Sequence, residues 1–181
     1  MLVSERLRLF IAVDVPAAAR SSLASWADRE APSEVRRVPA ENLHVTLAFL
    51  AMCNEQETSD AGAVLGAVAR PVGRLRTAGA LWLPPRRPGV LAIALEHEPA
   101  LAELQRELVV ALAGAIGFEP ERRRFQAHVT VGRVRRATHV RTQEPLQPPA
   151  LEFSAGALTL YRSLTGPGGA RYEALARAAL G

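Results

Sequence analysis

His44-Val45-Thr46-Leu47 and His128-Val129-Thr130-Val131 are nearly the same tetrapeptide, one in each half of a 181-residue chain. Each lies in a β-rich apolar run, Leu43 to Leu50 and Ala127 to Val134, and both runs read as strands. Side chains alternate between the faces of a strand, so His44 shares a face with Thr46, and His128 with Thr130. Leu43, Val45, Leu47 and Phe49 then fall on the opposite face and are expected to fill a core. Ala127, Val129 and Val131 do the same in the second copy. Packing alone does not explain an imidazole and a hydroxyl presented side by side, twice, in apolar strands.

An unperturbed imidazole titrates near pH 6.5, so of two near pH 7 one can be neutral and the other protonated. Facing each other, they can give and take protons across one reaction centre. Neighbouring threonine hydroxyls can donate hydrogen bonds to developing negative charge. The set suits in-line displacement at phosphorus, where attacking and leaving oxygens lie on opposite sides. It suits a metal poorly, because no HExxH occurs and neither histidine has an Asp, Glu or Cys cluster at ligand spacing. It suits a serine triad poorly too, because no serine stands in a nucleophile-elbow context.

Working outward, Arg6 to Val13 reads as a strand and Pro16 to Arg29 as a helix that begins with proline. Arg36 to Val38 is a short strand. Glu55 to Ala69 has helical spacing and ends before Pro71. Arg74 to Leu83 and Val90 to Leu95 are strands separated by Pro84-Pro85 and Pro88-Gly89. Glu98 to Ala113 carries Leu101, Leu104, Leu108 and Leu112 on one helical face, with Gly114 and Gly117 as stops. Gln143 to Pro149 is a connector, Phe153 to Ser163 a strand, and Gly166 to Gly169 a turn. The tail, Arg171 to Leu180, favours a helix by propensity, although its place after a strand and a Gly-rich turn also allows a hairpin partner. The alternation of strands and helices predicts an α+β fold in a single domain, residues 1–181.

Composition narrows the class. Hydrophobic residues are 49% and charged residues 22%, which excludes a disordered chain. One cysteine, Cys53, excludes an internal disulfide framework and a Cys-rich zinc site. No stretch approaches the roughly 20 apolar residues of a membrane span, and Leu9 to Val13 is too short for a signal-peptide core. A soluble, cytoplasmic monomer is expected. The net charge is +4, and every one of the 22 basic residues is arginine. With so much alanine, this points to coding bias, so Arg36-Arg37, Arg86-Arg87 and Arg122 to Arg124 weigh less as a nucleic-acid signal than their density suggests. A cationic surface still attracts phosphate-bearing substrates, and guanidinium matches phosphate geometry.

The paired HxTx motifs resemble the 2H phosphoesterase superfamily, and their surroundings resemble its RNA 2′,3′-cyclic phosphodiesterase branch, the 2′-5′ RNA ligase-like or LigT-like proteins. The matching stretches are Arg8 to Val13, Glu41 to Leu50, Phe125 to Arg133, and Leu160 to Ser163 with the Gly-rich turn and Tyr172. The resemblance implies two pseudo-symmetric lobes, each an antiparallel sheet with helices outside, around a central cleft, each lobe contributing one motif. It implies a strand over Tyr172 to Ala178, against propensity. It implies hydrolysis of 2′,3′-cyclic phosphate at an RNA, oligonucleotide or nucleotide end to a 2′-phosphomonoester, with no cofactor and no metal. His44 would be the proton donor and His128 the proton acceptor, with Thr46, Thr130 and Arg133 binding the phosphate. Simple alternation puts Arg133 opposite His128, so a bulge or strand end must re-aim it. The rivals are 2′-5′ ligation, hydrolysis of another cyclic nucleotide, and a module that binds RNA phosphate without turnover.

Two departures from the family pattern stand out. Ala51 occupies a position where the family often has glycine, and Val90 to Leu95 lacks an aromatic often found there. The remaining polar and aromatic residues are expected to be ordinary. His97 and His139 are read as bland, Cys53 as a buried thiol, and Trp26 and Trp82 as packing residues. Phe10 and Tyr161 could line the cleft.

Overall fold

The computed structural model describes residues 5–136, 138, 140, 146–166 and 169–181. His139, Pro167, Gly168 and the stretch 143–145 of the expected connector lie outside them. Among the described residues three α-helices form: α1 (Ala17–Glu30), α2 (Glu55–Val68) and α3 (Pro99–Ile116). Asn54 and Glu57 cap α2 reciprocally, at 2.9 Å from the Glu57 amide to the Asn54 side chain and 2.7 Å from the Asn54 amide to the Glu57 carboxylate. Helix α3 buries the four leucines of its stripe. It runs through Gly114 and stops at Gly117, whose φ of 66° takes the left-handed cap that glycine favours. A glycine inside a helix costs only about 1 kcal/mol, which that leucine stripe outweighs. None of these helices is long and apolar enough to cross a membrane.

The strands are β1 (Leu7–Asp14), β2 (Val35–Arg37), β3 (His44–Cys53), β4 (Arg74–Leu83), β5 (Val90–Leu95), β6 (His128–Val134), β7 (Glu152–Ser154), β8 (Ala157–Gly166) and β9 (Gly169–Ala179). They join in one sheet of order β7-β4-β5-β6-β3-β1-β8-β9, with β2 also on β6, and every pair is antiparallel. With the helices this is the α+β class that the element pattern predicts. The two motif strands meet at the middle of the sheet through Val45 and Val129. Beyond that point β3 leaves the edge of β6, and β2 takes its place, pairing Val35 with Val134 and Arg37 with Gly132.

The run expected as one strand, Phe153 to Ser163, is two. Ala155 and Gly156 break it between β7, which pairs with β4, and β8, which pairs with β1. Three Cα steps reach at most roughly 11 Å. Strands at opposite parts of the sheet order are therefore neighbours in space, and the sheet curls. The Gly156 amide pins the crossing by donating to the Asp14 carbonyl at 3.0 Å.

The tail forms β9 and pairs with β8 along its length. Its residues are mostly exposed or half-buried, as on an edge, and Leu180 anchors the end in the core. Cross-strand hydrogen bonds and that anchor override the helix propensity of its Ala, Glu and Arg. Trp26 is buried and its indole donates to the Gln147 carbonyl at 2.7 Å, while Trp82 packs against the core, so both are packing residues. Cys53 is buried and His97 exposed.

Candidate active site

Antiparallel pairing about Val45 and Val129 sets His44 toward Thr130 and Thr46 toward His128. All four side chains, with Arg133, line one cavity of about 330 Å³. The two histidines are held alike. Nδ1–H of His44 donates to the Asn42 carbonyl at 2.7 Å, and Nδ1–H of His128 donates to the Gln126 carbonyl at 2.7 Å. A carbonyl can only accept, so this bond fixes the proton on Nδ1 and leaves Nε2 as the exchangeable nitrogen. In His44 that Nε2 accepts from the Thr46 hydroxyl at 3.1 Å.

Both motif strands break alternation one residue after the threonine. In β3 the partners of Ala12 and Ile11 are Thr46 and Ala48, so Leu47 is an extra residue. In β6 the partners of Ala92 and Leu91 are Thr130 and Gly132, so Val131 is extra. Two consecutive residues therefore point inward, Leu47 with Ala48 and Val131 with Gly132, and the side chains that follow each pair, Phe49 and Arg133, change face. The second bulge turns Arg133 onto the histidine face, where it lines the cavity. The first turns Phe49 out of the core. It was expected to be buried with Leu43, Val45 and Leu47; it is 56% exposed and borders both this cavity and an adjoining one of about 250 Å³.

The family model for the 2′-5′ RNA ligase superfamily matches residues 13–167. The chain belongs to the 2′-5′ RNA ligase superfamily. It is 31% identical to the RNA 2′,3′-cyclic phosphodiesterase of Escherichia coli K12, over 98% of this chain and 99% of that one. It is 33% identical to the protein of the same name from Archaeoglobus fulgidus, over 72% of this chain and 74% of that one. Among solved structures it superposes on E. coli LigT complexed with 3′-AMP with a TM-score of 0.81 at 30% identity, covering 97% of this chain and 99% of LigT.

Within this superfamily fold the surroundings of the two imidazoles differ. The His44 ring stacks on Phe10 at 4.8 Å between centroids and meets the edge of Tyr172 at 5.3 Å; Tyr161 stacks on the other side of the cluster, 5.2 Å from Phe10. Phe10 and Tyr172 line the cavity. Loss of water in this aromatic cage lowers the His44 pKa to about 4. The Asn42 carbonyl and the Asp14 carboxylate oppose that shift, while Arg133 and His128 add to it.

Asp14 is the cross-strand partner of His44, and the sequence reading passed over it. Its carboxylate accepts from the Tyr161 hydroxyl at 2.6 Å and the buried Thr159 hydroxyl at 3.1 Å, and pairs with Arg177 at 3.1 Å. Burial and this carboxylate push the Tyr161 phenol above its usual range. A carboxylate at the inner end of an apolar strand was the available signal. On the other side, His128 and Thr130 pair with Ala94 and Ala92 of β5, both small and buried. Among the described residues no group of three or more His, Cys, Asp or Glu is placed to hold a metal ion.

Proposed function

We propose that this cleft hydrolyses the 2′,3′-cyclic phosphate at an RNA or nucleotide end and leaves a 2′-phosphomonoester. The observation that carries the reading is the pair of imidazoles, each with Nδ1 tied to a carbonyl and Nε2 left for exchange, bordering one cavity with two threonines and an arginine. The relatives named RNA 2′,3′-cyclic phosphodiesterase support the same substrate.

In this mechanism Nε2 of His128 takes a proton from water as the water oxygen attacks phosphorus. The bond from phosphorus to the 3′ oxygen breaks on the opposite side, and Nε2–H of His44 protonates that oxygen. Thr46, Thr130 and Arg133 hold the non-bridging oxygens, where charge accumulates. In the free protein His44 is neutral near pH 7, because its pKa is about 4. A phosphate anion entering the cage supplies the charge that the excluded water does not, so His44 takes up a proton as the anion binds.

That low pKa also favours a second polarity, with His44 as acceptor and His128 as donor. Calorimetric binding of a 2′,3′-cyclic mononucleotide, the substrate, to His128→Ala at pH 7, in buffers of different ionisation enthalpy, separates the two. Proton uptake that is lost when His44→Gln is added supports His44 as donor; binding without uptake supports the reverse.

The hydrolysis itself is tested by turnover of a 2′,3′-cyclic mononucleotide with analysis of the phosphomonoester formed. His44→Ala and His128→Ala should each lower kcat by about a thousandfold or more, with circular dichroism unchanged and wild-type rates indifferent to EDTA. Wild-type turnover by the double variant would overturn the reading.

A further inference from the structure

The sequence contains an arginine pair, Arg36-Arg37, that the phosphate-handling residues do not absorb, and the structure gives its members different work. The Arg37 guanidinium is spent on the fold. It donates to the carbonyls of Val35 at 2.8 Å and Ala31 at 2.7 Å, with longer bonds to Pro32 and Asp28. Arg36 is exposed and lines the 330 Å³ cavity. It is the direct cross-strand partner of Arg133, so β2 and β6 place two arginines opposite each other, and both line the cavity.

Among the described residues neither Arg36 nor Arg133 has a carboxylate within salt-bridge distance. Like charges directly opposite on adjacent strands destabilise a sheet. A single bound diester offsets only part of that repulsion, since a cyclic phosphate carries one negative charge and already meets Arg133, two hydroxyls and an imidazole. The Arg36 side chain also reaches from β2 to the start of β9: a Cβ on Gly169 would stand 3.0 Å from its Nη1. It therefore borders the cavity between β6 and the start of β9.

Resting on the hydrolase reading above, we infer that Arg36 forms a second anion subsite, which takes the internucleotide phosphodiester next to the cyclic-phosphate end. The substrate class is then an RNA end of two or more nucleotides, whose neighbouring phosphates match the neighbouring guanidiniums of Arg133 and Arg36.

The test compares two ligands by calorimetry: a nucleoside 2′-phosphate, and the dinucleotide that ends in the same 2′-phosphate. The wild-type protein should bind the dinucleotide about ten- to hundredfold more tightly, as a charge-assisted contact gives, and the advantage should shrink as salt rises. In Arg36→Gln the ratio of the two affinities should fall to within about threefold. Arg36→Lys should restore part of it. Arg29→Gln, an equal loss of charge on the exposed end of α1, should keep the wild-type ratio. Equal wild-type affinities, or an unchanged ratio in Arg36→Gln, would overturn the inference. Turnover of the cyclic mononucleotide reports on the hydrolase reading separately; if that fails, the affinity ratio still decides the second subsite.

Discussion

The two motif strands are alike through the histidine, the threonine and the bulge, and then part company. Five residues after each histidine, β3 presents Phe49 and β6 presents Arg133 to the cavity. Their flanks differ in the same sense. His44 lies against Phe10 and Tyr172, with Asp14 across the strand, whereas His128 lies across from Ala94. A duplicated frame thus carries an apolar, desolvated half and a charged, more open half. The frame sets where the two imidazoles stand; the residues around it set how each holds its proton.

The largest expected effect on stability tests the desolvated half. His44 titrates near 4 in the folded chain and about 6.5 when unfolded. Its proton therefore binds more readily to the unfolded chain. The resulting stability is fully present above about pH 6.5 and is lost as the pH falls toward 4, amounting to about 3 kcal/mol. Denaturant unfolding at pH 7 and pH 4 should show wild type losing about that much more than His44→Gln. Equal losses would mean that the cage does not desolvate the imidazole.

A second test makes the two strands more alike. After its bulge β3 has Ala48, while β6 has Gly132, because β2 crosses there and a Cβ on Gly132 would stand 2.3 Å from Val35 Cγ1. Val35 is fully buried and cannot swing away. Gly132→Ala should cost about 1–3 kcal/mol in chemical denaturation; a wild-type midpoint would show that β2 moves freely.

The smallest effect concerns the far end of β3. Ala51 has a φ of 60°, a conformation that costs an alanine about 1 kcal/mol. Ala51→Gly should raise stability by up to that amount. A loss of stability would contradict the strain.

The duplicated motif was legible because period-two alternation and a repeated tetrapeptide are both visible in sequence. The departure at Ala51 was legible as well, and its positive φ explains why glycine suits that position. The bulges were not. Leu47 and Val131 continue apolar runs, so nothing local marks them as extra, and one missed residue placed Phe49 in the core. Arg133 is placed at the phosphate by the resemblance alone, since simple alternation puts it opposite His128. The break at Ala155-Gly156 and the strand over Gly169–Ala179 follow from pairing with β4, β1 and β8, which local composition does not encode. Asp14 and Arg36 gained meaning only from register, as partners of His44 and Arg133.

The most direct test of the paired-imidazole site is a crystal structure with a nucleoside 2′-phosphate bound. The phosphate should lie between the two rings, with Nε2 of His44 and Nε2 of His128 each about 3 Å from a phosphate oxygen and the Arg133 guanidinium on another. A phosphate held elsewhere, or touching only one imidazole, would contradict the account.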